Sequence, residues 1–581
     1  MTAPAGAVAG RLPAVMRGTG AALRVRWLGT VPYREAWSVQ RAVHRGPATG
    51  PRSDHLLLLE HPHVFTLGRN ARADHVLVDP AHVGADVVEV DRGGDVTYHG
   101  PGQLVAYPVL DLPGKGAGTS PGIPDYVAVL EQVLIDTLQA LGLSGVGRHD
   151  GYPGVWVEPG TASARKIAAI GVRVERGRSL HGIALNVSTD LTYFDHIVPC
   201  GIEDFGVTSL AAEGMDVTMR EAADAFVAAF AARWEPEWVE RADVVWRSQD
   251  VDLAPFSRGA GPGERTTGAN RTIGTDDVGG TSVRLLGRLA QAGVTQSVAF
   301  TDRKPDWMRA RVRHGDQVLG LKRTVRDLGL VTVCEEAGCP NLSECWSDGT
   351  ATFMVCGERC TRACGFCLVD TRRPEPLVDD EPERVAEAVA RMDLDYAVIT
   401  MVARDDLPDG GAAHVAATVR AIRAERPGTQ VEVLISDLRG DARSLEVVLD
   451  ERPDVVNHNI ETVARLQRAV RPSAGYARSL ALLARSAAAG LTTKSGLVLG
   501  LGETEEEVAA TLADLAAVGV SIVTIGQYLR PTSHHLPVAH WWEPADFDRF
   551  ARIGRSLGLA HVESSPFTRS SYHAKAAAGH A

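Results

Sequence analysis

YAVITMVARDDLPDGGAAHVAATVRAIRAERPGTQVEVLIS, residues 396–436, decides the fold of half of this chain. It opens on an apolar run (396–402), crosses a Gly/Asp-rich turn, continues at helical spacing (414–426) and closes on a second apolar run (431–436). Two buried strands joined by an amphipathic helix make a parallel crossover unit. The rhythm extends outward. DVVNHN (454–459), SGLVLG (495–500) and SIVTIGQ (521–527) read as further strands, with ERVAEAVARM and EEEVAATLADLAAV as helices between strands. With a strand at about 351–356, six are expected, an α/β partial (β/α)6 barrel. Arg404, Asp405, Asp437, Asn457, Asn459, Glu503 and Gln527 gather at the strand ends, where such barrels keep their chemistry.

The first half has no such rhythm. HLLLLE (55–60), QLVAYPVLDL (103–112) and GVWVE (154–158) read as strands. Tyr126, Leu130, Val133, Leu134, Leu138 and Leu141 mark a helix that starts near Pro124 and ends at Gly142. This predicts an α+β layer fold. Between Phe256 and Ser282 the chain turns Gly-, Thr- and Ser-rich, the composition of a flexible linker. We therefore expect a frayed tail at 1–21, a first domain at 22–250, a linker at 251–300 and a second domain at 301–581. A short helix within 283–300 is expected to belong to neither half.

The 581 residues are 45% hydrophobic and 23% charged, with a net charge of −12, which argues against nucleic acid as the main partner. No apolar stretch is long enough for a membrane span. Of eight cysteines, seven fall between Cys334 and Cys367, and Cys200 stands alone. Such clustering points to metal and a reducing cytoplasm rather than to disulfides. CEEAGCPNLSEC places Cys334, Cys339 and Cys345 in one triplet, and CTRACGFC places Cys360, Cys364 and Cys367 in another. Three thiolates on one loop suit a 4Fe–4S cube with one iron left open, whereas zinc usually takes short pairs.

CTRACGFC resembles the radical S-adenosylmethionine motif. CEEAGCPNLSECW, GTATFM, RDDLPDGGA, NHNIETV, GLGET, GQYLRPTSHHLPV and RSSYHA, collinear over about 300–575, resemble lipoyl synthase. The resemblance implies two 4Fe–4S clusters. The cube on Cys360, Cys364 and Cys367 binds S-adenosylmethionine and, given an external electron donor, generates a 5′-deoxyadenosyl radical. The auxiliary cube on Cys334, Cys339 and Cys345, with Ser571 as oxygen ligand, is consumed as the sulfur source. Cys356 departs from the family pattern and reads as a small buried residue at a strand end, although a C-x3-C-x3-C triad is arithmetically open. Asn459, Glu461, Lys494 and Glu503 are candidates for S-adenosylmethionine or substrate contact, with caps and barrel-mouth hydrogen bonds as the plainer reading. The run DRKPDWMRARVRHG (302–315) is a solvated face or a contact for an acidic carrier.

Cys200 in DHIVPCGI would ordinarily be inert packing. The chain holds only six lysines, however, and one is Lys166 in ARKIAAIGV. An ammonium near a thiol favours the thiolate, the usual origin of a reactive cysteine. RGGDVTYHGPGQ, KIAAIGV, HGIALNV and the PCGI–VTSL pair, over about 22–245, resemble the octanoyltransferase of lipoate assembly, with the biotin/lipoate-ligase type of fold. Cys200 and Lys166 fall on that family's catalytic positions. The implied substrate site comprises Arg92, Gly93, Gly94, Asp95, Val96, Thr97, Tyr98 and His99, with Ala169, Ile170 and Gly171, and with Gly182, Ile183 and Ala184. The expected function is transfer of octanoate from octanoyl-acyl carrier protein to a lysine of a lipoyl-carrier domain, followed by insertion of two sulfurs. The carriers implied are the lipoyl domains of 2-oxoacid dehydrogenases and the glycine cleavage H protein. The rival is an ATP-dependent lipoate or biotin ligase fused to an iron–sulfur electron-transfer or sensing module.

Overall fold

The computed structural model describes residues 22–47, 49–50, 52–112, 122–202, 204–246, 277–278, 281–299, 303–308, 325, 327–332, 341, 345 and 350–579. The expected tail at 1–21 and the linker at 251–276 lie outside the described residues. The chain divides into two compact units just after Trp246.

The first unit is built on a nine-stranded mixed sheet. Its strands are β1 (Ala22–Thr30), β2 (Asp54–Glu60), β6 (Gln103–Val109), β7 (Val146–His149), β8 (Tyr152–Val157), β9 (Arg165–Glu175), β10 (Arg178–Asn186), β11 (Gly206–Val207) and β12 (Trp238–Asp243). They run in the order β12-β1-β2-β6-β10-β9-β8-β7, with β11 beside β9. A separate three-stranded sheet joins β3 (Val64–Leu67) to β4 (Asp86–Glu89) and β5 (Val96–His99). The amphipathic stretch seen in the sequence is the helix Ile123–Ala140. Its Tyr126, Leu130, Val133, Leu134 and Leu138 bury with Phe226 and Phe230 of the helix Met219–Trp234 against one sheet face. This is the expected α+β class.

The second unit holds an eight-stranded sheet, in chain order. Its strands are β15 (Val331–Thr332), β16 (Thr350–Val355), β17 (Tyr396–Met401), β18 (Gln430–Leu434), β19 (Val455–Asn457), β20 (Thr492–Leu499), β21 (Ile522–Gln527) and β22 (His561–Ser564). The short pair β13 (Asp277–Val278) and β14 (Thr281–Ser282) precedes it. β16 to β22 are parallel throughout, and only β15 runs antiparallel. The six expected strands are β16 to β21. β22 was not legible, because HVES carries no apolar run. Helices Glu381–Arg391, Ala412–Glu425, Ala442–Asp450, Tyr476–Ala488, Glu505–Ala517 and Pro544–Ser556 follow successive strands or the cysteine loop, as a partial barrel requires.

The sequence reading of 283–300 needs correction. The helix Val283–Gln291 belongs to the second unit and packs on the short helix Gln467–Val470. Leu289 and Ala292 are buried, Arg465 donates to the Ala292 carbonyl, and Val298 N donates to Val538 O at 2.7 Å.

Candidate functional site

In the first unit a cavity of about 340 Å³ is lined by both Cys200 and Lys166. Its floor is the β9–β10 pair. Ala169 lies opposite Ala184, and Gly171 opposite Gly182. Alternation along a strand puts these four on one face, so no large side chain fills the slot above them. Ile170 and Ile183 lie opposite each other too; they pack with the core and also border the cavity.

Lys166 reaches the cavity through a β-bulge. Val155 pairs with Ala168, and Trp156 with Lys166, so Ile167 is an extra residue in β9. Strict alternation would put Lys166 on the core face with Ala168. The bulge turns it to the cavity side instead. Its Nζ stands 4.9 Å from the centroid of the Trp156 ring. Among the described residues no carboxylate pairs with it, and its side chain is buried.

Cys200 sits on the turn Pro199–Gly201 with φ +56°, a left-handed conformation that costs a non-glycine residue about 1 kcal/mol. A small network holds it there. Val198 N donates to His75 O at 2.8 Å, and His75 Nδ1 meets Asp95 Oδ2 at 2.6 Å. Asp95 Oδ1 accepts from Val96 N and Arg72 N. Gly201 is also left-handed, and a Cβ there would lie 2.8 Å from Asp95 Oδ2, so only glycine fits beside the thiol. Asp95, expected to bind substrate, serves first to hold this turn. His75 was missed, because nothing in ADHVLVD marks it.

Arg92 adds a second fixed cation. Its guanidinium donates to Thr66 O and Oγ1 and to Gly93 O, and among the described residues it has no carboxylate partner. Burial lowers its pKa, while the acidic groups around it, Tyr33 and Cys200 among them, push it back. Thr97 and His99 face the cavity with Gly93 and Gly94. Val96 and Tyr98, the alternate residues of β5, do not line it. They are fully buried in a separate core with Phe65 and Phe194, which corrects their assignment.

The remaining wall is polar. His99 Nδ1 meets Gln103 Oε1 at 2.7 Å, and burial drives its pKa well below the ordinary imidazole value. Behind the wall His61, between Val31 O and the hydroxyl of lining Tyr107, is held down to about 4 by burial. His181 meets Asp91 at 2.8 Å and is lowered by burial, while Tyr33 is pushed up to about 12 for the same reason. Tyr33, Tyr107, Tyr152 and His181 line the cavity and were not expected. The arrangement is a thiol on a propped turn, two cations, the Asp95 carboxylate that props the turn, and polar walls, which suits a thioester intermediate.

In the second unit the CTRACGFC loop follows β16 and is clamped on every side. Arg362 pairs with Asp405 at 2.8 Å and with Asp437 at 2.6 Å, tying the loop to the ends of β17 and β18. Gly365 N donates to Val470 O at 2.8 Å, and Leu536 N to Gly365 O at 2.9 Å. His535 Nε2 lies 3.0 Å from Cys367 O. Burial raises the pKa of all three thiols, Cys360 to about 11, and the charge of Cys364 adds to the rise in Cys360 and Cys367. Three soft donors held where ionisation is costly are the setting that a cluster relieves. The surroundings fit a bound group as well. Among the described residues Arg288 Nε and Nη1 and Asn459 Oδ1 are buried without partners, and a Cβ on Gly496 would lie 2.6 Å from that Asn459 oxygen. Cys360, Cys364 and Cys367 would hold the cube, with Asn459 beside it.

Glu461 is half-buried near Arg471, Cys364 and Cys367, and accepts from Asn459 Nδ2 at 3.1 Å. The same Asn459 nitrogen donates to Ser570 Oγ at 2.6 Å, which brings RSSYHA and partly exposed Ser571 to the strand ends. Cys345 is buried. Its N–H donates to Asn341 O, and Asn341 Nδ2 donates to Phe567 O at 2.7 Å, so the Cys345 turn meets the same tail. Cys334 and Cys339 lie outside the described residues, as does most of 302–315, where Arg303 pairs with Asp306. Cys356 is buried at the end of β16, with Sγ 3.9 Å from Gly411 O, as packing predicts.

Two candidates face elsewhere. Lys494 lies inside β20 with no exposed surface, and its Nζ pairs with Glu432 at 3.0 and 3.1 Å. Tyr396 and Asn457 also donate to Glu432, so Lys494 closes a network within the sheet. Both oxygens of Glu503 are engaged, by Gly500 N, Leu501 N and Trp542 Nε1, which shapes the GLGET turn.

The chain matches the lipoyl protein ligase A/B catalytic domain over residues 32–231 and the radical SAM superfamily over 354–515. Lipoyl synthase from Rubrobacter xylanophilus is 56% identical over 273 residues, 47% of this chain and 85% of that protein. Lipoyl synthase from Mycobacterium tuberculosis is 51% identical over 287 residues, 49% and 92% respectively. Among solved structures, a putative lipoate protein ligase from T. acidophilum is 18% identical, covering 40% of this chain and 90% of its own at a TM-score of 0.31. The [FeFe]-hydrogenase maturase HydG is 14% identical, covering 48% and 66% at a TM-score of 0.32. Among the described residues no helix is long and apolar enough to cross a membrane.

Proposed function

The chain belongs to the lipoyl synthase family through its C-terminal half and carries a lipoyl protein ligase A/B catalytic domain in its N-terminal half; from that premise we propose that one polypeptide builds lipoate on its carrier. The first unit transfers octanoate, and the second unit, with the helix Val283–Gln291 included, inserts sulfur. The family implies S-adenosylmethionine and 4Fe–4S clusters. The observation that carries the transferase reading is the shared cavity of Cys200 and Lys166. A ligase that activates its acid with ATP has no use for a thiol on a propped turn.

The Cys200 thiolate attacks the thioester carbonyl of octanoyl-acyl carrier protein, and Lys166 gives its proton to the departing carrier thiol. The amine of the target lysine then attacks the Cys200 thioester. Neutral Lys166 takes the amine's proton, and Cys200 leaves as the thiolate. Arg92 stays charged throughout and favours that thiolate. Gly93, Gly94, Thr97 and His99 border the reacting end, and the Ala169–Gly171–Gly182–Ala184 slot receives the acyl chain. Thioester exchange is nearly isoenergetic and aminolysis runs downhill, so no nucleotide is consumed. The test is transfer from octanoyl-acyl carrier protein to an apo lipoyl domain without ATP, read by mass. Octanoylation is expected there, and none from free octanoate with ATP; the opposite pattern identifies a ligase.

In the second half the bound clusters and S-adenosylmethionine supply the radical and the sulfur. Cys360, Cys364 and Cys367 hold one cube, with Asn459 and Glu461 lining the S-adenosylmethionine site. Cys334, Cys339, Cys345 and Ser571 hold the other, and an external reductant provides electrons. A hydroxyl on a soft cluster is a replaceable ligand, as a sacrificed cube requires. Ser571→Ala is therefore expected to cleave S-adenosylmethionine normally while lipoyl yield falls, on the order of tenfold for a lost cluster ligand. Normal yield would remove Ser571 from the ligand set.

A further inference from the structure

The helix Val283–Gln291 lies before the first barrel strand, yet it approaches the radical-generating loop. It packs on the helix Gln467–Val470, and the carbonyl of Val470 accepts from Gly365, between Cys364 and Cys367. From this helix Arg288 turns inward. Its Nε and Nη1 are shielded from solvent and make no hydrogen bond among the described residues. Other shielded arginines of the second unit are matched: Arg362 by Asp405 and Asp437, Arg404 by Asp406, and Arg471, which also acts on Cys364, by the carbonyls of Asn459 and Ile460. Arg288 meets no carboxylate among the described residues, and the ionisable group that acts on it is Cys364.

A desolvated guanidinium without a counter-charge is costly, and native folds rarely leave one so. A 4Fe–4S cube on three thiolates carries net negative charge, and more of it after one-electron reduction. Hydrogen bonds to the sulfurs and nearby charge set the potential of such clusters. We propose that Arg288 is a further counter-cation, beside Arg471, of the cube on Cys360, Cys364 and Cys367, donating toward its sulfur and stabilising its reduced form. The proposal rests on that ligand assignment. The electron comes from the external reductant, and no bond at Arg288 forms or breaks. The element that reads as a spacer after the linker thereby becomes part of the electron-accepting site.

The test uses the full chain, reconstituted anaerobically, as parent, Arg288→Gln and Arg288→Lys. Iron content, S-adenosylmethionine affinity and the midpoint potential of the S-adenosylmethionine-responsive cube are measured, the last by titration followed by electron paramagnetic resonance. Arg288→Gln is expected to keep its iron and to shift the potential to more negative values. Reductive cleavage of S-adenosylmethionine should slow on the order of tenfold at fixed reductant. Arg288→Lys should recover part of both, with affinity changed by less than about twofold. An unchanged potential overturns the proposal. So does a loss confined to affinity, which would give the guanidinium to the ligand's carboxylate, or loss of iron in both variants, which would make Arg288 a packing residue. Failure of the ligand assignment looks different: a Cys364→Ala protein that still cleaves S-adenosylmethionine.

Discussion

Cys200→Ser is expected to lower octanoyl transfer by at least about a thousandfold and to abolish the covalent intermediate. Parent protein incubated with octanoyl-acyl carrier protein and no acceptor should gain one octanoyl mass on the Cys200 peptide. The adduct should be labile to hydroxylamine and should disappear when a lipoyl domain is added. Serine keeps the geometry of the Pro199–Gly201 turn, but its far higher pKa leaves almost no anion for Lys166 and Arg92 to stabilise. Lys166→Ala should slow both acylation and transfer to the amine, because it removes the group that gives and takes the proton. Full transfer by Cys200→Ser without an adduct would mean that the amine attacks the carrier thioester directly.

Replacing Cys360, Cys364 and Cys367 together by Ala should remove one of two cubes and reduce 5′-deoxyadenosine formation to background. The loop itself should persist, because Arg362 clamps it through Asp405 and Asp437 rather than through its thiols. Cys356→Ala should keep both cubes, since that thiol packs against Gly411 in the core of the unit. Iron and sulfide analysis with product assay reads both outcomes. Loss of a cube from Cys356→Ala would point to the alternative C-x3-C-x3-C triad.

Much of this was legible because two periodicities announce themselves. The βα rhythm located β16 to β21 and their chemistry-bearing ends, and the scarcity of lysine singled out Lys166. What was hidden depends on local geometry. The bulge at Ile167 turns Lys166 into the cavity, and no residue type in ARKIAAIGV signals it. Val96 and Tyr98 share a motif with Thr97 and His99, but alternation along β5 sends them to the other face. Lys494 looked like a strand-end residue because the apolar run begins at Gly496. Strand β20 starts at Thr492, so the lysine is inside the sheet opposite Glu432. Glu503 is spent on its own turn, a use invisible in GLGET. Arg288 sits in an amphipathic helix where an arginine ordinarily means solvent.

The central claim is that one chain performs both steps on one carrier. Its most direct test supplies the anaerobically reconstituted protein with octanoyl-acyl carrier protein, an apo lipoyl domain, S-adenosylmethionine and a reductant, without ATP, and follows the mass of the lipoyl domain. An octanoyl adduct should appear first and then give way to the lipoyl form, two sulfurs heavier, as 5′-deoxyadenosine accumulates. A domain that stays unmodified until ATP and a free acid are added, or that stops at octanoyl with no 5′-deoxyadenosine formed, would contradict it.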